Sequence, residues 1–386
     1  MIYLDNSATT ALCDAAKKKI AECLDCYGNP SSRHTLGLDS KKLVDEARVS
    51  VALSLGLKKG DAQRIIFTSC GTEANNLAIL GSAYAKDKRR ANKIITTNSE
   101  HPSVENVMQR LERDGFDVVR LSTRGGELDV EKFEQEMDSS VLFVSVMAVN
   151  NETGACYDVK KLFAEAKRRN PDVITHCDAV QGYLKLDICP QKMGADLYSV
   201  SAHKIHGPKG VGALYISPDM VKTKKIIPYI IGGGQESGFR SGTENLLGIV
   251  GFGAAAREGF ENFSQNREKL ISLRKLCEEE VTRAGAVVNT PCGERAPHIV
   301  SIRLPKIKSE TMLNFLSAKG ICVSAGSACS SHSQSVSGTL VDFGLARDEA
   351  DSTIRVSLGI YNTEEDIKTF GAVLKDGIDM LVRFKR

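Results

Sequence analysis

Two short stretches of this 386-residue sequence hold residue types that can do chemistry together. One is Thr175-His-Cys-Asp-Ala-Val-Gln-Gly182, with an acid at Asp178 and an amide at Gln181. The other is Ser201-Ala-His-Lys-Ile-His-Gly-Pro-Lys-Gly210, with a lysine at position 204 directly after a histidine. Each follows an apolar run. A lysine amine can hold an aldehyde as a Schiff base, and a carboxylate can keep a pyridine nitrogen protonated so that the ring draws electrons. Enzymes that use pyridoxal phosphate need that pair. Taken alone, the same residues also read as a buried aspartate and a solvated lysine on a loop.

The elements that must position this pair follow from the apolar pattern. Runs at 64–68, 93–97, 116–121, 141–149, 173–177, 196–200 and 211–216 read as strands. Helical patterns at 73–85, 103–113 and 158–169 fall between them. This alternation predicts a mostly parallel sheet covered by helices on both faces. Ligands on such sheets bind beyond the carboxyl ends of the strands. Residues 242–284 read as a long helical connection. The pattern then restarts with strands at 298–304 and 321–324, a helix at 309–319 and a last helix from 363. We expect a large domain over 13–258. A smaller α/β domain is expected from 1–12 and 259–386, carrying a Ser- and Gly-rich loop at 324–338.

Other strand ends hold suitable residues. Gly71 and Thr72 open a helix after the 64–68 run, where backbone N–H groups can meet an anion. A plain capped helix reads equally from the same residues. His101 can stack on a ring and move protons, or serve only as a structural residue before Pro102. Asn150-Asn-Glu-Thr-Gly154 is a polar turn whose amides can bond a phenolic oxygen, or simply a turn. If a helix starts after Asp178, its side chain and that of Gln181 leave the same edge. Gly232–Asn245 is Gly-rich and places Thr243 at an expected helix start, a second candidate phosphate contact.

Bulk properties exclude several classes. Lys and Arg number 51 and Asp and Glu 48, for a net charge of +3. That balance does not argue for nucleic acid. No apolar run reaches the length of a membrane span. The sequence enters Tyr3-Leu-Asp-Asn-Ser almost at once, so no signal peptide is expected. Eleven scattered cysteines suggest a reducing cytoplasm with mostly buried thiols. Cys23 and Cys26 have a metal-like spacing without a second pair, so one face of a helix is expected and no metal site. The basic run Lys86–Arg90 reads as a solvated helix end.

Beyond these local readings, the chain resembles the cysteine desulfurases of the NifS/IscS-like group, within the class V aminotransferase family of fold-type I pyridoxal phosphate enzymes. The resemblance runs nearly end to end. It is carried by Tyr3–Thr10, Gly28–His34, Phe67–Asn76, Glu100-His101, Val149–Gly154, His176–Gln181, Ser201–Lys204, Arg240–Asn245, Ser324–Cys329 and Ile354–Gly359. It implies conversion of L-cysteine to L-alanine, with sulfur left as a persulfide on Cys329 and then passed to an acceptor protein. Such acceptors serve iron–sulfur cluster assembly or the sulfur supply of tRNA and thiamin.

The resemblance also implies residue roles. Lys204 carries pyridoxal 5′-phosphate, and Asp178 pairs with its ring nitrogen. Gln181 and Asn151 approach the phenolic oxygen, and Asn151 also lies toward the substrate. His101 stacks on the ring and takes part in proton transfer. Gly71, Thr72, Ser201 and His203 hold the phosphate, while Thr243 reaches the phosphate of a second subunit in a homodimer. Arg355 clamps the substrate carboxylate, and Cys329 is the nucleophile. Two departures stand out: Cys70 occupies a position usually held by Gly or Ala, and a proline expected shortly after Cys329 is absent. A selenocysteine or cysteine-sulfinate lyase remains a rival enzyme reading, and a catalytically dead assembly scaffold a rival outside enzymes.

Overall fold

The computed structural model describes residues 1–85, 91–326 and 336–383 of the chain. In chain order the first strands are β1 Ile2–Tyr3, β2 Ile65–Thr68, β3 Lys93–Thr97, β4 Asp117–Leu121, β5 Val141–Met147 and β6 Ile174–Asp178. They are followed by β7 Leu197–Ser201, β8 Gly212–Ile216, β9 Val287–Val288, β10 Ile299–Arg303, β11 Ile321–Cys322 and β12 Thr353–Ser357. Seven of them form one sheet in the order β2-β8-β7-β6-β5-β3-β4. The run from β7 to β4 is parallel, and β8 alone runs antiparallel, to both β2 and β7. The α/β class and the mostly parallel sheet expected from the sequence are both present.

Why these runs are so apolar is visible in β5, where every residue is buried. Phe143 points into one core with Leu77, Met108 and Leu111. Its neighbour Val144 points into the other with Val51, Phe163 and Phe252. Helices Gly71–Ala83 and Pro102–Arg113 build the first layer. Helices Thr35–Ser54, Val159–Arg169 and Leu246–Glu261 build the second. With both faces covered, the period-two alternation of a half-exposed strand vanishes.

The expected connection over 242–284 is two helices, Leu246–Glu261 and Phe263–Arg283. A third core gathers Leu4, Leu270, Cys277, Val300, Ile354 and Phe370. Around it stand the antiparallel sheet β12-β10-β9 and the parallel pair β1-β11. The sequence expectation for Cys23 and Cys26 needs correcting. Helix Asp14–Glu22 ends before them, and the Cys26 N–H bonds the Cys23 carbonyl at 3.0 Å in the turn that follows. Among the described residues no cluster suited to a metal occurs. Lys86–Arg90 lies outside the described residues.

One buried ion pair ties the second layer to the sheet. Arg48 Nη1 and Nη2 donate to Glu236 at 2.6 and 2.8 Å, and the Phe67 N–H donates to the same carboxylate at 2.8 Å. The Glu236 side chain is 2% exposed. Removing one member leaves the other charge buried and uncompensated. Glu236→Ala is therefore expected to lower unfolding free energy by about 3 kcal/mol, read by denaturant titration. A loss within about 0.5 kcal/mol, the scale of ordinary surface changes, contradicts this.

Candidate active site

Asp178 and Ser201 end the adjacent strands β6 and β7, and a tight 3-10 turn, Ala202–Lys204, follows β7 at once. The pair named first in the sequence therefore opens onto one side of the sheet. A cavity of about 180 Å³ lies there, lined by Asp178, Lys204 and His101. Asn151 after β5 and Gly71 with Thr72 after β2 also line it, and Arg355 of β12 closes it from the other sheet. A larger hollow of about 1040 Å³ runs along helix Val159–Arg169, and none of these residues lines it.

Asp178 is held on two sides. Asn75 Nδ2 donates to Oδ2 at 2.8 Å, and the Val180 N–H donates to Oδ1 at 3.0 Å. Asn75 Nδ2 also reaches Ser103 Oγ at 2.9 Å. Sequence alone assigns Asn75 no role. A polar residue one helical turn after Gly71, on a face otherwise facing the sheet, was the available signal. No helix starts after Asp178, so the condition for a shared helix edge is not met; the chain makes turns instead. Gln181 still reaches the cavity wall, where Nε2 donates to the Ser7 carbonyl at 2.9 Å and Oε1 meets His298 Nε2 at 3.3 Å.

Lys204 Nζ donates to the carbonyls of Ser7 and of Ala8, the latter at 2.9 Å. The N-terminal segment thus forms a wall of the cavity through its backbone carbonyls. His101 caps helix Pro102–Arg113, with the Ser103 N–H donating to its Nδ1 at 3.1 Å. That bond leaves the proton of the neutral ring on Nε2. Burial pushes the His101 pKa down, against the pull of Asp178 and with the help of Lys204. His203 Nδ1 meets Thr9 Oγ1 at 3.2 Å, and burial holds its pKa at about 4.

One end of the cavity suits an anion. Helix Gly71–Ala83 begins there with thirteen residues behind it. Ser201 Oγ is buried and has no hydrogen-bond partner among the described residues. A Cβ at Gly71 would lie 2.9 Å from Val180 Cγ2 and 3.4 Å from Ser201 Cβ, so glycine lets the backbone approach this seat. At the other end Arg355 is 2% exposed. Its Nη1 donates to the Asn151 carbonyl at 2.8 Å and its Nη2 to Asp5 Oδ1 at 3.0 Å, while Nε has no partner among the described residues.

Thr243 is not at this cavity. It is exposed, and the helix starts later, at Leu246, because the Asn245 side chain accepts from the Gly248 N–H at 3.1 Å. Cys329 lies outside the described residues, as does most of the loop at 324–338.

Behind the site, His176 is fully buried between Ser145 Oγ and Ser199 Oγ, both at 2.9 Å. Burial pushes its pKa from 6.5 down to about 3. As pH falls, the unfolded chain takes up this proton first. Stability is therefore lost between pH 6.5 and about 3, by up to about 1.4 kcal/mol per pH unit from this group. His176→Gln is expected to flatten that slope in urea unfolding at pH 6, 5 and 4. Equal slopes in both proteins refute it.

The sequence matches the aminotransferase class-V family over residues 2–370. It is 38% identical over 385 residues to a cysteine desulfurase of Trichormus azollae, covering 99% of this chain and 94% of that one. Two solved structures are similar over nearly their whole length. A NifS-like protein shares 35% identity at a TM-score of 0.90, with 98% of this chain and 99% of the other covered. SspA in complex with cysteine shares 30% identity at a TM-score of 0.80, with 94% and 100% covered. An end-to-end match of this kind, on a sheet whose strand ends bring an amine, a carboxylate and a guanidinium to one cavity, places the chain in the class V aminotransferase family.

Proposed function

We propose that the chain is a cysteine desulfurase that uses pyridoxal 5′-phosphate to convert L-cysteine to L-alanine and passes the sulfur on through Cys329. The observation that carries this reading is the convergence of Lys204, Asp178 and Arg355 on one cavity. The residues present fit the cofactor. The seat made by Ser201 Oγ, Gly71 and the helix start suits its phosphate, Lys204 offers an amine to its aldehyde, and Asp178 offers a carboxylate to its ring nitrogen. When bound, the cofactor supplies a cationic ring that withdraws electrons from the substrate Cα and Cβ.

The chain's own residues do the rest. Arg355 presents a planar donor to the substrate carboxylate, and its position beside Asn151 fixes the amino acid's orientation. Lys204 Nζ takes the Cα proton. Asp178, held by Asn75 and the Val180 N–H, keeps its proton partner at the ring nitrogen. His101, neutral and capping its helix, moves protons at the substrate sulfur. The Cys329 thiolate bonds to that sulfur as the Cβ–S bond breaks. The electron pair stays on carbon, which is protonated to give alanine, and a persulfide remains.

The relatives' names support L-cysteine as substrate, and the cysteine-bound SspA structure agrees with it. A homodimer fits the exposure of Thr243 and of Tyr229 and Ile231 on the loop before it. In such a dimer Thr243 meets the partner's phosphate seat. The three cores support reading 13–258 as the large domain and 1–12 with 259–386 as the small one. No helix among the described residues is long and apolar enough to cross a membrane, and a cytoplasmic enzyme with a sulfur-acceptor protein is the setting we propose.

The test is a stoichiometry. The protein loaded with pyridoxal phosphate, given L-cysteine and a thiol reductant, should release alanine and sulfide in equal amounts. Absence of turnover, or sulfide without matching alanine, overturns the reading.

A further inference from the structure

Glu152 has no role in the reaction above, yet it is buried beside it. It is 6% exposed and adjoins Asn151, whose carbonyl accepts from Arg355 Nη1. Its own N–H donates to Asn150 Oδ1 at 3.0 Å, which fixes the turn. A buried carboxyl on a turn needs a reason, because desolvation disfavours it unless it is bonded. Burial pushes its pKa up, and the Ser337 hydroxyl and Arg355 pull it back.

The bonds show where it acts. Ser337 Oγ donates to Glu152 Oε2 at 2.6 Å. Gly326, with φ +59, lies so close that a Cβ there would sit 3.1 Å from the same Oε2 and 3.6 Å from Ser337 Cβ. Gly326 is the last described residue before Cys329 in the Ser-rich segment, and Ser337 is the second described residue after it. They meet at one carboxylate oxygen. The earlier arm is also tied to the clamp residue. The Arg355 N–H donates to the Ser324 carbonyl at 2.6 Å, and the Ser324 N–H donates to the Arg355 carbonyl at 3.1 Å. The turn at 150–154, both arms of the segment and the guanidinium therefore form one connected frame.

We propose that Glu152 is a positioning residue that holds the two arms of the Cys329-bearing segment together on the Arg355 side of the cavity. It sets where the segment leaves the fold relative to the substrate carboxylate. This inference rests on Cys329 as the sulfur-accepting residue. Its consequence is a split between two steps. Losing the Glu152–Ser337 bond should leave L-cysteine binding intact, since Arg355 keeps its bonds to Asn151 and Asp5. Transfer of sulfur to Cys329 should slow, because small misplacements of a reacting group cost much rate.

The experiment uses full-length protein loaded with pyridoxal phosphate, without acceptor or reductant. L-cysteine binding is read from the change in visible absorbance, and persulfide on the Cys329 peptide by mass spectrometry over a single turnover. Glu152→Ala and Ser337→Ala are each expected to slow persulfide formation roughly tenfold at unchanged L-cysteine affinity. The double variant should lose less than the sum of the two single losses, since the Glu152–Ser337 bond is common to both, although Glu152 also bonds Thr339 and Ser337 also caps the helix at the Leu340 N–H. Glu152→Gln, whose amide oxygen can accept from the same hydroxyl, should recover most of the rate. Ser337→Ala keeps the test alive if Glu152→Ala does not fold. A wild-type rate in Ser337→Ala, or additive losses in the double variant, overturns the proposal. If wild-type protein forms its persulfide elsewhere than Cys329, the desulfurase reading of that residue fails instead, and the two failures are told apart by the peptide that carries the sulfur.

Discussion

Lys204→Ala is expected to yield a protein that stays colourless with added pyridoxal phosphate and loses activity by about 10⁴-fold or more, the scale for removing a residue that bonds covalently. Among the described side chains lining the cavity, Lys204 is the one lysine. The nearest rival is Lys185. It is 7% exposed, its Nζ donates to the Lys204 carbonyl at 3.1 Å, and burial lowers its pKa to about 8. A lysine so depressed is more often uncharged, and hence more nucleophilic, than an ordinary one. Position argues against it: Lys185 lies behind the Lys204 backbone and does not line the cavity. Borohydride reduction followed by peptide mapping decides between them. Label on the Lys204 peptide in wild-type protein, and no reducible band in Lys204→Ala, is the expected result. A reducible band that persists in the variant sinks the assignment.

The physical reasons for what was legible are specific. β5 was readable because both its faces are buried, so seven consecutive apolar or small residues survive in sequence. The apolar runs end before Asp178 and Ser201, which the structure places inside β6 and β7. They pair with Ser199 and Gly212 through the backbone, and a backbone ladder does not depend on side-chain polarity. The insertion of β8 between β2 and β7 left no trace, since strand order is set by contacts far apart in sequence. The same holds for Asp5 on Arg355 and for Asn75 on Asp178. Each bond joins elements that only the fold brings together. Helix caps were readable in type and not in place. Thr243 suggested a start, yet Asn245, a stronger cap, sets it. At the site, the amine and the carboxylate were legible because the two together at successive strand ends match a known cofactor chemistry. The carbonyls of Ser7 and Ala8 were not, because every residue has one.

Cys329→Ser should keep the visible absorbance of the loaded protein and still bind L-cysteine, while sulfide release falls on the order of a thousandfold or more. A serine hydroxyl is not ionised at neutral pH and cannot form the S–S bond that the transfer requires. The rival acceptor in this chain is Cys70, which lines the cavity. Its place decides against it. Cys70 stands directly before Gly71, at the end suited to the phosphate, whereas the substrate carboxylate is expected at Arg355, across the cavity. Sulfur from a substrate held there would have to cross the seat of the cofactor to reach it. Two further described cysteines are poorer still. Burial and Asp178 push the Cys177 thiol well above its usual range, and Cys156 is raised to about 12, so neither supplies a thiolate at neutral pH. Full sulfide release from Cys329→Ser with persulfide on the Cys70 peptide would transfer the role. Turnover of L-selenocysteine is the finer probe, since selenium can leave without a thiol acceptor. If the variant kept that activity and wild-type protein preferred the selenium substrate, the chain would be a selenocysteine lyase. Loss of L-cysteine turnover in the variant, together with L-cysteine as the preferred substrate of the wild type, leaves sulfur transfer to Cys329 as the reaction.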